Sequence, residues 1–185
     1  MGQMRLEKDE FYKLLVRPTV VITTASANGV PNAAPFSWCS PLATKPSPLF
    51  GFSTNVTHDT WRNLLVNGEF VVNLVGADFG PLMEILERDL PYETSEITAA
   101  GLTAIEATVV RPPRIGEAFG WLECKMVQSL SLSDRNTWVV GEVLEVEAKD
   151  WAMTDVVDVV KVKPLNHIWG SVFVTEMQPN RYNRL

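Results

Sequence analysis

The sequence predicts a mainly β protein with a few short helices, most simply a small antiparallel barrel. Six or seven short segments are rich in β-branched and aromatic residues and are bounded by turn residues. They do not alternate regularly with helical patterns, which disfavours a doubly wound parallel sheet. With 185 residues, 46% of them apolar, the chain is long enough for one domain with its own core. We therefore expect one domain over residues 1–185, with residues 1–16 and 171–185 at its periphery.

The first forty residues contain one helix signal and two strand signals. Residues 7–16 place apolar side chains at helical spacing and predict a short amphipathic helix. Residues 19–25 are β-branched and predict a strand. The Asn28–Gly29 pair then predicts a tight hairpin, whose second strand covers roughly residues 33–40.

The middle of the chain continues with strands and two helices. Residues 48–54 predict a strand, and Thr57 is placed to cap a helix over residues 58–68 that closes on a glycine. Residues 69–75 are apolar on both faces apart from one asparagine, so we expect a central strand. Residues 78–91 predict a second short helix that begins at its capping aspartate, Asp78.

The second half of the chain is dominated by two long strands. Residues 95–110 pass from a polar loop into a strand, and residues 121–132 alternate between apolar and polar side chains. After a turn, residues 137–148 form the returning strand. Residues 154–162 fit a helix or a strand equally well, and residues 178–185 form a polar tail.

Composition excludes several classes of partner. The net charge of −6 and the scattered basic residues argue against nucleic acid. The sequence contains no apolar stretch long enough to span a bilayer and no signal-peptide pattern near its start, so we expect a cytoplasmic protein. Cys39 and Cys124 are far apart, and only two histidines accompany them, so we expect no metal site.

The helix predicted at residues 58–68 begins with the equipment for binding an anion. Its first turn presents free N–H groups and a partial positive charge. Hydroxyls precede it at Ser53, Thr54 and Thr57, and His58 or Arg62 could add positive charge. The alternative is an ordinary helix cap with a solvated Arg62.

The strand before this helix has the composition of a wall for a flat heterocycle. Alternation sends Phe36 and Trp38 to one face, and Ser37 and Cys39 to the other. A planar ring needs apolar contacts on its faces and polar groups at its edge. The alternative is a barrel strand with its aromatic residues in the core. Next to an anion-binding helix, such a strand suggests a ligand shaped like a mononucleotide.

The order and spacing of several sequence segments resemble those of a known protein family. The chain reads RPTVVITTASANGVPNAAPFSWCSPLATKPSPLFGFS, then HDTWRN and GEFVVNLV, and later SEITAAGLTAIEATVVRPPRIGEAFGWLECKMVQ and VVGEVLEV. It resembles the flavin-reductase-like, FMN-binding split-barrel proteins, which include flavoredoxins and small flavin reductases. The resemblance runs from about Arg17 to Gly170. It implies a split-barrel homodimer that binds FMN, with FAD as the alternative flavin, near the subunit interface.

The resemblance also implies which residues contact the cofactor. Along the isoalloxazine ring and ribityl chain it places Asn32, Pro35, Phe36, Ser37, Trp38 and Cys39. Near the phosphate it places Ser53, His58, Thr60 and Asn63. No catalytic acid or base is implied, because the flavin itself carries the redox chemistry.

The functional hypotheses differ in the electron donor that they require. In the family's reductases, NAD(P)H passes hydride to the flavin, often beside a histidine just before the last long strand. Here Asn136 stands at about that position and cannot carry charge, and His167 is a second candidate donor-site residue. The leading hypothesis is an NAD(P)H-dependent, FMN-binding oxidoreductase of the flavin reductase type. The alternatives are an electron carrier served by a partner protein, as in flavoredoxins, and a ligand-binding barrel without redox chemistry.

Overall fold

The fold is built on a seven-stranded antiparallel sheet, seen in a computed structural model that describes residues 3–182. The strands are β1 Arg17–Pro18, β2 Val20–Ala25, β3 Pro31–Phe36, β4 Cys39–Ala43, β5 Leu49–Asn55, β6 Glu69–Leu74, β7 Ala104–Ile105, β8 Arg114–Ile115, β9 Gly120–Ser131, β10 Asn136–Ala148, β11 Asn166–Trp169 and β12 Val172–Val174. The α-helices are α1 Asp59–Asn67, α2 Met83–Leu86, α3 Glu96–Ala99 and α4 Val159–Val162, and 3₁₀ helices span Lys8–Leu14, Ala77–Leu82 and Asp150–Ala152.

The order of strands shows how the sheet closes. The large sheet runs β3-β2-β6-β9-β10-β5-β4, so its two edge strands are consecutive in sequence. Only Ser37 and Trp38 separate them. A two-residue link cannot cross a flat seven-stranded sheet, because neighbouring strands lie about 4.8 Å apart. The sheet therefore curls into a barrel that is split between β3 and β4.

Apolar residues are buried on both faces of the sheet. On β2, Val20 and Ile22 belong to the cluster inside the barrel, with Phe36 and Phe52. Val21 belongs to a second cluster, to which α2 and α3 contribute. The helices thus cover one outer face of the barrel.

Two buried polar side chains in this core, Asn73 and Glu123, have protein hydrogen-bond partners. Asn73 on the central strand β6 is buried, donates to the carbonyl of Val21 at 2.9 Å and accepts from the N–H of Ile115 at 2.7 Å. Glu123 is also buried and accepts from Arg114 Nε at 2.7 Å. These bonds offset the cost of removing polar groups from water.

Most predicted strands are confirmed, and the central position predicted for residues 69–75 is observed in β6. The predicted helix at residues 58–68 is α1, closed by Gly68 in the left-handed conformation with φ 69°. The hairpin after β2 is also present, with Gly29 at φ 82°. Residues 7–16 contain a 3₁₀ helix with no buried residue in place of the predicted amphipathic α-helix.

Several local predictions are wrong. Thr57 does not cap α1: His58 occupies that position, and Thr57 bonds instead to the side chain of Asn55. The 3₁₀ helix at Ala77–Leu82 begins after Gly76, so Asp78 is not its cap. The strand predicted within residues 95–110 is reduced to the two residues of β7, after the short helix α3.

The remaining predictions concern the end of the chain and the membrane. The ambiguous residues 154–162 end in the short helix α4. Part of the predicted polar tail, residues 183–185, lies outside the described residues. No helix within residues 3–182 combines the length and apolar character needed to cross a bilayer.

Candidate functional site

The link between the two edge strands forms one wall of the candidate site. The strand predicted over residues 33–40 is broken here: β3 ends at Phe36, and β4 starts at Cys39. The carbonyl of Trp38 accepts a bond of 2.8 Å from the N–H of Ser53 on β5, which fixes the bend. Pro35 fits on β3 because an edge strand has no second neighbour that needs its N–H.

The bend separates the two aromatic residues that alternation placed on one face. Phe36 is buried, with its ring centroid 4.9 Å from that of Phe52. Trp38 is 46% exposed and packs edge-on against Phe11, at 6.0 Å between centroids. The two rings therefore have different surroundings because the chain leaves the strand between them, although both line the same cavity.

Two adjoining cavities open at this bend. The larger has a volume of about 830 Å³, and the smaller has about 540 Å³. Eight predicted residues line the larger cavity: Pro35, Phe36, Ser37, Trp38, Ser53, His58, Asn136 and His167. Five line the smaller one: Asn32, Pro35, Phe36, His58 and Thr60. The residues common to both sets show that the two cavities are adjacent, and we refer to them together as the groove.

The strands β5 and β10 supply the opposite wall. Ser53 pairs with Trp138, and Asn55 pairs with Asn136 across the two strands. All four residues line the larger cavity. The groove is thus bounded by an edge strand on one side and by a hydrogen-bonded strand pair on the other.

Helix α1 starts where the two cavities meet. The first N–H groups of a helix have no acceptor within it, and those of Asp59 and Thr60 fall in this first turn. Asp59 and Thr60 also line the smaller cavity. The Arg62 side chain lies elsewhere, with its guanidinium carbon 3.5 Å from the ring centroid of Tyr92. His58 and Arg88 are therefore the basic residues that line this end of the groove within the described chain.

A buried hydrogen-bond network supports the smaller cavity from behind. Asn32 Oδ1 accepts from the hydroxyls of Thr60 at 3.1 Å and Thr24 at 3.2 Å. Asn63 is fully buried, lines neither cavity, donates to Thr24 at 3.0 Å and accepts from the Tyr92 hydroxyl at 2.7 Å. Asn63 can therefore act on a ligand only through the network.

The carboxylate of Glu96 anchors this network. Its Oε2 accepts from Asn32 Nδ2 at 3.1 Å and from the N–H of Ala33 at 3.0 Å. Burial raises the pKa of Glu96, and these two bonds oppose that shift without cancelling it. Burial likewise raises the pKa of Asp59, while Arg62 opposes the change.

A second polar cluster lies on the other side of the bend. Ser37 Oγ lies 3.2 Å from Nδ1 of His167, which is the cross-strand partner of Arg17. Asn136 is exposed at the start of β10, and its carbonyl accepts from the N–H of Leu132 at 2.8 Å. Both predicted donor-site residues thus line the larger cavity.

The chain matches a known protein family over most of its length. Residues 12–167 match the family described as the flavin reductase like domain. The chain belongs to this family. Membership supports flavin-dependent oxidoreductase chemistry and a flavin-binding groove.

Solved structures of other proteins show the same fold. Nitrilotriacetate monooxygenase component B from Bacillus cereus superposes with a TM-score of 0.86 at 24% identity, covering 98% of each chain. Flavoredoxin from Desulfovibrio vulgaris gives 0.81 at 18% identity, covering 98% of this chain and 94% of that one. The NADH:FAD oxidoreductase SgcE6 from Streptomyces globisporus gives 0.76 at 14% identity, covering 96% and 99%. Each is a split-barrel relative in fold, which confirms the predicted fold class.

The groove of this flavin reductase-like protein fits a flavin. Thr19 lines the larger cavity, is 5% exposed, and its Oγ1 is buried without a hydrogen-bond partner. Such an orphaned hydroxyl is costly unless a ligand or water completes it. The apolar side chains of Phe36, Trp138 and Phe173 line the same cavity. A flat ring with polar edge atoms would use both kinds of surface.

Cys39 lies beside the groove but lines neither cavity. Its sulfur lies 3.6 Å from the carbonyl oxygen of Pro18. Burial raises the pKa of the Cys39 thiol to about 12, so the thiol stays protonated at neutral pH. It therefore lacks the thiolate that redox or nucleophilic chemistry would need.

Sequence reasoning missed several groove residues. Thr19 could have been found from the hairpin register: β2 pairs Val20 with Phe36, which places Thr19 opposite Ser37 just beyond the strand ends. Met83 and Glu87 carry no such signal, because α2 reaches the groove only through tertiary packing. Glu96 likewise read as part of a polar loop.

Proposed function

We propose that this protein is an FMN-binding oxidoreductase of the flavin reductase type, which takes hydride from NAD(P)H and passes electrons to free flavin or another acceptor. The observation that carries the proposal is the groove formed by the two adjacent cavities, which has apolar walls at the Ser37–Trp38 bend and reaches the start of α1. Family membership supports the flavin, and the anion-binding character of a helix start favours a phosphate-bearing one.

The groove suggests a role for each predicted residue. Pro35, Phe36, Ser37 and Trp38 would bound the ring, since they line the larger cavity. The phosphate end would be formed by Ser53, His58 and Thr60. Asn32 lines the smaller cavity and, with Asn63, would hold that end in place through the buried network. Cys39 would pack behind the ring as a neutral thiol.

When bound, the flavin would supply the redox chemistry, and the protein would supply its position. The buried parts of the groove would limit water at the reacting face, because Phe36 is buried and Trp138 is half-buried. Ser37, Thr19 and Asn136 would offer hydrogen bonds to polar atoms of the flavin or of the nicotinamide.

One observation favours an electron carrier as the second candidate. Asn136 lies exposed at the rim of the larger cavity and carries no charge, so it offers a nicotinamide dinucleotide only hydrogen bonds. A carrier that exchanges electrons with a partner protein needs no dinucleotide site. The fold shared with flavoredoxin is consistent with this alternative.

We also propose that two copies of the chain associate at the open side of the larger cavity. Phe11, Trp38 and Trp169 are 52%, 46% and 51% exposed. Phe11 packs against Trp38, and the Lys13 ammonium lies 4.8 Å from the ring centroid of Trp169. Large exposed aromatic side chains at one place are typical of an interface. Sedimentation should report a dimer; a monomer that still binds FMN would contradict this proposal.

An absorption spectrum of the purified protein, taken with and without added FMN, tests the central proposal. We expect a flavin spectrum and saturable FMN uptake, followed by bleaching when NADH or NADPH is added without oxygen. If both nicotinamides fail and a reduced ferredoxin succeeds, the protein is the carrier. If the protein takes up neither FMN nor FAD, it is a barrel without flavin chemistry, and the proposal is wrong.

A further inference from the structure

Three polar side chains meet at the wall of the larger cavity. Ser37 Oγ lies 3.2 Å from Nδ1 of His167, and Arg17 Nη2 lies 3.4 Å from the same ring nitrogen. On the other side of the ring, Nε2 of His167 lies 2.9 Å from the carbonyl oxygen of Gly170. Every polar atom of the imidazole therefore has a protein partner.

The chemistry of these partners favours one arrangement of hydrogens. A carbonyl oxygen only accepts, so Nε2 of His167 must carry its hydrogen and donate to Gly170. A guanidinium only donates, so Nδ1 must present a lone pair to Arg17. Nδ1 has one lone pair, and Ser37, whose contact of 3.2 Å is shorter than the 3.4 Å contact of Arg17, donates its single hydroxyl hydrogen to it. Toward the cavity, Ser37 then has only lone pairs to offer.

We propose that Arg17 is a positioning residue that keeps His167 protonated on Nε2 alone, and that His167 thereby makes Ser37 a hydrogen-bond acceptor toward the ring in the groove. This inference rests on the proposed function insofar as that ring is a flavin. Arg17 is suited to the role because it cannot lose its proton and is itself fixed. Its Nη2 donates to the carbonyl of Ile168 at 2.6 Å, and its Nη1 donates to that of Tyr12 at 3.0 Å.

An acceptor at this point distinguishes the two oxidation states of a flavin. Reduction by a hydride and a proton adds hydrogen to ring nitrogens, which turns hydrogen-bond acceptors into N–H donors. A hydroxyl that only accepts can bond to such a donor but has no hydrogen for the oxidised nitrogen. Ser37 should therefore favour the reduced ring, whereas a freely rotating hydroxyl would serve both states.

The first test measures the tautomer directly and needs no flavin. The sequence contains two histidines, so in the His58→Gln variant of the full chain every imidazole signal belongs to His167. Nitrogen-15 NMR at neutral pH should show hydrogen on Nε2 and a lone pair on Nδ1. Hydrogen on Nδ1, alone or together with Nε2, would overturn the proposal.

Two variants in the same background test whether Arg17 is responsible. Arg17→Met removes the donor that faces Nδ1, so the ring-nitrogen shifts should change toward a mixture of protonation forms. Arg111→Met serves as the control, because that side chain is 78% exposed and lies far from the groove in sequence and contact. Unchanged His167 signals in Arg17→Met would show that Arg17 does not position the ring.

The second test uses FMN-loaded protein. Ser37→Ala should weaken binding of reduced FMN relative to oxidised FMN about tenfold, as the loss of one hydrogen bond predicts, which lowers the midpoint potential by about 30 mV. Ser37→Thr keeps the hydroxyl and should restore most of the shift. An unchanged or raised potential in Ser37→Ala overturns the acceptor role. Failure of the wild type to bind flavin overturns the proposed function and leaves the NMR test standing.

Discussion

Replacing Asn32 by aspartate tests the network behind the groove with almost no change of shape. The substitution turns the Nδ2 donor, 3.1 Å from Glu96 Oε2, into a second carboxylate oxygen. Two charges at that distance repel by about 5 kcal/mol at an effective dielectric constant of about 20. The pair can avoid this by holding one proton, which at pH 7 costs about 4 kcal/mol for a carboxyl with an ordinary pKa near 4.3. Protonation is the less costly of the two, so the folded variant should bind one proton. Asn32→Asp should therefore lower the free energy of unfolding by about 4 kcal/mol.

Urea unfolding at pH 7 and pH 5 measures this effect and its sign. The variant's folded state binds a proton that its unfolded state releases near pH 4, so its stability relative to wild type should recover as the pH falls. Adding Glu96→Gln should restore stability at pH 7, because the glutamine amide can donate to the new aspartate. A loss below about 1 kcal/mol with no pH dependence would refute the Asn32–Glu96 contact, since surface-like pairs cost no more than this.

Three further predictions use other parts of the molecule. The double substitution Ser53→Ala and Thr60→Ala should weaken FMN binding in a fluorescence titration, by roughly 1.5–3 kcal/mol for the lost Ser53 bond to phosphate and further through loss of the Thr60–Asn32 bond behind the groove. Ser129→Ala, an exposed hydroxyl on β9, is the control, and equal affinities would place the phosphate elsewhere. Arg114→Met leaves Glu123 charged and buried, so urea unfolding should show a loss of about 3–5 kcal/mol. Because the pKa of Cys39 is raised to about 12, its alkylation should be slow at pH 7 and accelerate with rising pH; rapid labelling at pH 7 would contradict its burial.

Local sequence signals correctly predicted the backbone conformation where it requires one residue type, glycine. Gly29 and Gly68 both adopt positive φ, at a hairpin and at a helix end, as their positions predicted. The break between β3 and β4 could not be predicted in this way. It depends on a bond from the Ser53 N–H to the Trp38 carbonyl, fifteen positions away, and nothing in the residues of the bend signals that contact. The misplaced cap at Thr57 has a local origin instead: the side chain of Asn55, two positions earlier, accepts from both its N–H and its hydroxyl.

The site shows a similar division. The family resemblance named residues on β3, β5 and α1 together, and the groove brings most of them to its walls. Thr19 and Glu96 lie in segments that carry the resemblance, but they were missed because the resemblance assigned no cofactor contact to the parts of those segments around them. Asn63 was named as a phosphate contact, yet it is fully buried with both amide atoms bonded to protein. The burial of Asn63 results from tertiary packing, which the sequence motif around it does not indicate.

Strand β3 shows why a buried acid is kept beside a groove of this kind. As an edge strand, β3 has backbone N–H groups that face no neighbouring strand, and such an edge tends to pair with other chains. The Glu96 carboxylate bonds the free N–H of Ala33 and the side chain of Asn32 at once, which blocks the edge and fixes the strand. At the other end of β3, Ser37 is held by His167. Because β3 is fixed near both ends and has no second neighbouring strand, one of its sides stays open to a ligand. The Glu96 carboxylate that fixes it is buried, and this burial raises its pKa.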